Sequence, residues 1–185
     1  MVFIGKYLFR YRGVLPLPWI AIGWFFMEAD WVFLSLGILV GLIGLLLRGV
    51  AISSIGVKAR TVDQTVGNLT QNGLYRWCRN PLYVSNIIIW SGVFCAFANW
   101  PLWCLAIAYF VLQYWCIVLW EESILLAEKQ QFYIQYMNRT PRWFSFALPE
   151  QVWGSISFLK VLRYERSTLI SFIIVYATIF SGFFR

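Results

Sequence analysis

The chain is 185 residues long, 61% hydrophobic, 20% aromatic and only 12% charged, with a net charge of +7. Soluble domains are roughly 45–50% apolar and about 25% charged. A chain of this length cannot hide so large an apolar excess in its own core, which excludes a soluble globular domain and predicts an all-α integral membrane protein. The positive charge then belongs to cytoplasmic loops and anionic headgroups rather than to nucleic acid.

Two further absences narrow the chemistry. There is no histidine, which removes imidazole bases and the usual zinc ligands. The four cysteines, Cys78, Cys95, Cys104 and Cys116, show neither a paired motif nor metal-ligand spacing, and three of them lie in apolar runs as expected of small buried hydrophobes.

In chain order, a tail from Met1 to Gly13 carries Lys6, Arg10 and Arg12. An apolar span follows over 14–27, with Pro16 and Pro18 near its start, where a missing N–H costs little. Glu28 and Asp30 form an acidic turn. The second span covers 31–55, and Gly37, Gly41 and Gly44 place a smooth stripe on it that lets a neighbouring helix approach closely. A polar stretch from Lys58 to Asn80 contains the turn Asn72-Gly73. Spans over 82–98 and 101–120 are separated by so few residues that they predict a tight antiparallel hairpin. A polar helix, Glu121 to Asn138, comes next, then an interfacial stretch from Glu150 to Arg166 and a last span over 168–184. The whole is read as one membrane domain, 1–185.

Lysine and arginine sort by side. With a cytoplasmic N-terminus, 14 of the 15 fall on the cytoplasmic face, leaving only Arg185 opposite. That bias supports about five spans and a multi-pass protein of a bacterial inner membrane or endoplasmic reticulum, with its pocket on the cytoplasmic side.

Ionisable residues gather at both cytoplasmic ends of the hairpin: Arg76, Arg79 and Asn80 before it, Glu121 and Glu122 after it. Carboxylates ending an apolar helix are costly without a cationic partner, so the two groups are expected to meet. Simpler roles exist for each: Asn80-Pro81 as helix cap and first-turn proline, the arginines as topology charges, Tyr83 as an interface anchor.

Together these residues resemble a known pattern. Gly73-x-Tyr75-xxx-Arg79-Asn80-Pro81-x-Tyr83, followed after a helical hairpin by Glu121-Glu122-x-x-Leu125, Tyr133-x-x-Tyr136 and Thr140-Pro141-Arg142, is similar to the isoprenylcysteine carboxyl methyltransferase family and its phospholipid methyltransferase relatives. The resemblance covers 73–142. It departs at Asn80, where the family has His, at Lys129-Gln130, where Phe-Gly is common, and at Thr140, in place of Val. Asn keeps a donor and an acceptor but cannot carry a proton charge.

The resemblance implies S-adenosylmethionine as cofactor, methyl transfer to a membrane-embedded, lipid-like acceptor, and a site built from Tyr75, Arg79, Asn80, Pro81, Tyr83, Glu121 and Glu122. Arg79 would offer a fork to the cofactor carboxylate, and Tyr83 with the glutamates would face its cationic part. Glu121 or Glu122 would be the base for an amine acceptor, and Arg142 would hold an anionic headgroup. The competing readings are an NADPH-dependent membrane reductase of the steroid-reductase type, disfavoured because Ser85-Asn86 replace its Gly-Glu, and a non-enzymatic subunit of a membrane complex.

Overall fold

A computed structural model describes residues 2–55, 71–145 and 157–184. Lys58, Arg60 and Arg185 of the charge sorting, and the first part of the Glu150–Arg166 stretch, lie outside the described residues. Described are α1 (Val2–Tyr11), α2 (Pro16–Phe25), α3 (Trp31–Ile55), α4 (Leu74–Trp77), α5 (Pro81–Cys95), α6 (Trp100–Arg139) and α7 (Phe158–Ser181), the last closed by a 3-10 turn, Gly182–Phe184.

Local chemistry sets the helix starts. Pro16 opens α2 and Pro81 opens α5 at first-turn positions. Asp30 begins α3 by accepting from the N–H groups of Val32 and Phe33 at 2.7 and 3.1 Å. Asn99 begins α6 by accepting from Leu102 N–H at 3.1 Å. Ala98, at φ 54°, turns the chain sharply between α5 and α6. The hairpin is the one expected: Trp103 Nε1 donates to the Ser91 carbonyl at 3.1 Å, and Trp90 stacks on Phe110 at 5.0 Å.

Contacts order the helices between two ends of the bundle. α3 runs antiparallel to α5, with Gly37 against Gly92 and Ala96 and Gly44 against Ser85 and Ile89. α7 runs antiparallel to α3; Val161 lies beside Gly49 and Tyr176 beside Gly41, and the Tyr176 hydroxyl donates to the Gly37 carbonyl at 2.6 Å. At the far end the Glu28 N–H donates to Phe97 O at 3.0 Å, tying the α2–α3 turn to the α5–α6 turn. The aromatic core, Phe94, Phe97, Phe110 and Tyr114 with Trp19 and Trp90, fills the space between α2, α5 and α6.

Among the described residues, three helices are long and apolar enough to cross a bilayer: α3, α6 and α7. α2 and α5 are apolar but shorter, with 10 and 15 residues. At 1.5 Å per residue they reach about 15 and 22 Å, against a hydrocarbon core of about 30 Å.

The outlines differ from expectation in three places. The tail with Lys6, Arg10 and Arg12 contains a helix, α1, whose Gly5 seats against Cys116 and Trp120 of α6. The polar segment Glu121–Asn138 is the continuation of α6, broken locally at Gln130 (φ 35°, ψ −112°), where the resembling family commonly has glycine. The residues from Phe158 onward are not a separate interfacial helix: α7 runs through them, because Glu165 turns inward to a partner instead of ending the helix in water. Of the cysteines, Cys78 is buried but Cys104 is exposed on the apolar surface of α6.

Candidate functional site

Gly73 starts the site. At φ 58° and ψ −135° it holds a backbone conformation open to glycine and turns the chain into the short α4. After α4 the backbone extends through Cys78 and lies along residues 140–142. The Arg79 N–H donates to the Pro141 carbonyl at 2.9 Å, and Asn80 Nδ2 donates to the Arg142 carbonyl at 3.1 Å. The Tyr136 hydroxyl donates to Tyr75 O at 2.6 Å from below. Asn80 therefore occupies the cap position of α5 without capping it; its side chain fastens the Arg142 segment.

Glu122 is the centre of this fastening. Arg79 Nη2 meets its Oε1 at 3.0 Å, and Arg142 Nη2 meets its Oε2 at 2.7 Å. Arg79 Nε also donates to Glu122, while its Nη1 donates to the carbonyls of Met137 and Thr140 at 3.2 and 3.0 Å. All three Arg79 nitrogens are thus engaged within the protein, on a side chain 7% exposed. The Arg142 guanidinium, held by Glu122, has its pKa raised further above the usual arginine value and lies 5.5 Å from the Trp115 ring centre. Burial pushes the Cys78 thiol up to about 12 and the Tyr75 phenol well above its ordinary value, so both stay protonated and inert at neutral pH.

Glu121 points elsewhere. Its Oε1 accepts from the Tyr83 hydroxyl at 2.8 Å, and the Tyr83 ring lies 5.3 Å from Tyr114. Trp90 Nε1 donates to the Tyr114 hydroxyl at 3.2 Å. One carboxylate framed by aromatic faces at the edge of an apolar bundle suits an organic cation: ring faces attract it and the carboxylate pairs with it.

The structure brings Arg79, Asn80, Glu122 and Arg142 into one bonded cluster, sets Tyr83 and Glu121 together beside it, and buries Tyr75 and Pro81 in the packing beneath. Sequence reasoning missed a second polar chain. Arg48 of α3 donates through Nε to Glu165 of α7 and through Nη1 to Asn86 of α5, both at 2.7 Å. The available signal was a charge inside an otherwise apolar helix, at Arg48, which by itself asks for a partner.

The comparisons agree with this architecture. No curated protein and no solved structure gives a match. Residues 32–129, more than half of the chain, match the family model described as phospholipid methyltransferase. That region holds α3, the Gly73–Tyr83 motif, the hairpin and both glutamates. The chain belongs to the phospholipid methyltransferase family.

Proposed function

We propose that the protein uses S-adenosylmethionine to methylate a lipid-like acceptor that reaches the site from the bilayer. The observation that carries this reading is the pairing of Tyr83 with Glu121 beside the locked Arg79–Glu122–Arg142 cluster. The donor set fits the cofactor's cationic part: a carboxylate for its ammonium, and the half-buried Tyr83 ring for its sulfonium. Bound there, the cofactor supplies an activated methyl group.

The protein's own contribution is placement and exclusion of water. Transfer to carbon by in-line displacement needs alignment and a dry site more than a metal or a covalent intermediate. The Glu122 bridge fixes the end of α6 against the start of α5, so Glu121 and Tyr83 are held at a set separation. With an amine acceptor, a Glu121 carboxylate oxygen takes the proton that the nitrogen loses; with a carboxylate acceptor none is lost. The apolar outer faces of α3 and α7 suit an acceptor already dissolved in lipid.

Purified protein in detergent should be stabilised by S-adenosylmethionine and by its demethylated product, which should compete with it. At a hundredfold excess over Kd the gain is about 2.7 kcal/mol. A folded protein whose melting temperature ignores both ligands at saturation rules the reading out.

A further inference from the structure

The site as described has a carboxylate for a cation, but its two arginines are bound to Glu122. α1 delivers a further cation, one with no ion pair among the described residues. Gly5 lets α1 sit directly on α6 at Cys116 and Trp120, and Phe9, one turn on, packs on the Trp120 ring at 5.1 Å. This register carries Arg12 to the level of Glu121. The Arg12 guanidinium sits over the Phe9 ring, which packs on Trp120, the residue before Glu121.

We propose that Arg12 is the site's oxyanion receptor, a binding residue contributed by the N-terminal helix; the proposal rests on the methyltransferase reading. The side chain is already oriented. Its guanidinium lies 3.8 Å from the Phe9 ring centre, and Nη1 donates to the Phe9 carbonyl at 2.8 Å. That bond satisfies a carbonyl at the end of α1 but uses only part of a fork with five N–H donors. No carboxylate stands within ion-pairing distance of Arg12 among the described residues. α1 lies outside the matched region 32–129.

The oxyanion has two sources, the carboxylate of the methyl donor and the phosphate of a lipid headgroup. Paired probes separate them: S-adenosylhomocysteine against its decarboxylated analogue, and dihexanoyl phosphatidylethanolamine against dihexanoylglycerol. Calorimetric titration of the full chain in detergent should show Arg12→Gln weakening one oxyanion-bearing probe at least tenfold while its oxyanion-free counterpart changes less than twofold. Arg12→Lys, which keeps the charge but loses the fork, should fall between. Loss on the first pair identifies the donor's carboxylate, and loss on the second the headgroup phosphate.

The proposal fails if parent and Arg12→Gln bind both oxyanion probes equally. It also fails if both members of a pair weaken alike, which marks a packing role, or if the parent binds neither oxyanion probe. A parent that ignores both nucleoside probes sinks the methyltransferase reading, while the lipid pair still decides the role of Arg12.

Discussion

Adjacent helical residues point about 100° apart, and Glu121 and Glu122 use that angle to serve different partners. Glu122 holds two guanidiniums, whereas Glu121 meets the Tyr83 hydroxyl. Changing Glu122 to Gln leaves two arginines short of their countercharge in a cluster whose Arg79 is nearly buried. Loss of a buried pair costs about 3–5 kcal/mol, and the effect should appear in thermal unfolding. Glu121→Gln should keep the parent's stability and lose cofactor affinity or turnover at least tenfold. A Glu121→Gln variant that binds like the parent, beside a Glu122→Gln variant that melts like it but no longer binds, would reverse the two roles. The sequence already indicated that Arg79 lies near the two glutamates. It did not show that Arg79 is consumed by Glu122 and by two carbonyls, because those carbonyls belong to a backbone path, residues 137–140, that only the fold defines.

Among the elements, the α3–α5 contact is the one that a single carbon should break. A Cβ on Gly92 would lie 2.5 Å from the Gly37 carbonyl and 2.5 Å from Gly41 N, both rigid backbone atoms. Gly92→Val therefore has to separate the helices, and with them Asn86 from Arg48. Gly49 faces only Val161 at 3.5 Å, an ordinary contact. Gly49→Ala should retain parental melting within about 0.5 kcal/mol, while Gly92→Val should lose folded yield in detergent. Equal behaviour of the two would show that the close approach is not needed. The stripe of α3 was legible because spacing alone generates it. Its division of labour was not: a Cβ on Gly37 or Gly44 would meet α5 and one on Gly41 would meet α7, although the Gly41 backbone also lies against Gly92, and nothing local marks which neighbour each side receives.

At the scale of the molecule, Arg12, Arg48, Arg79, Arg142 and Lys160 gather at the end of the bundle that holds Glu121 and Glu122, whereas the α2–α3 and α5–α6 turns lie at the other end, beside the close of α7. If the positive-inside rule holds for this chain, the cationic end faces the cytoplasm, which is a prediction of the charge sorting and not a property of the fold. Reporter fusions should place Met1 on the cytoplasmic side and Arg185 across the membrane; both on one side would refute the topology. Composition could carry the reading this far because lipid acts on whole segments. It could not settle how α2 and α5, too short by length to span unaided, are accommodated, since that depends on which helices shield them.

The Arg48–Glu165 bond also orders events in time. Its partners are 117 positions apart, and at about 5–20 residues per second the ribosome needs roughly 6–23 s to travel from one to the other. For that interval α3 holds an arginine whose carboxylate has not yet been made. Arg48 stands toward the cationic end of α3, where a long side chain can reach the interface while it waits, and the leucine-rich body of the helix keeps the span in place. When α7 arrives, its own acidic residue pairs with the arginine. Until α7 docks, Arg48 can have Asn86 as a partner but not the countercharge of Glu165, so the last helix completes the polar contact that joins α3, α5 and α7.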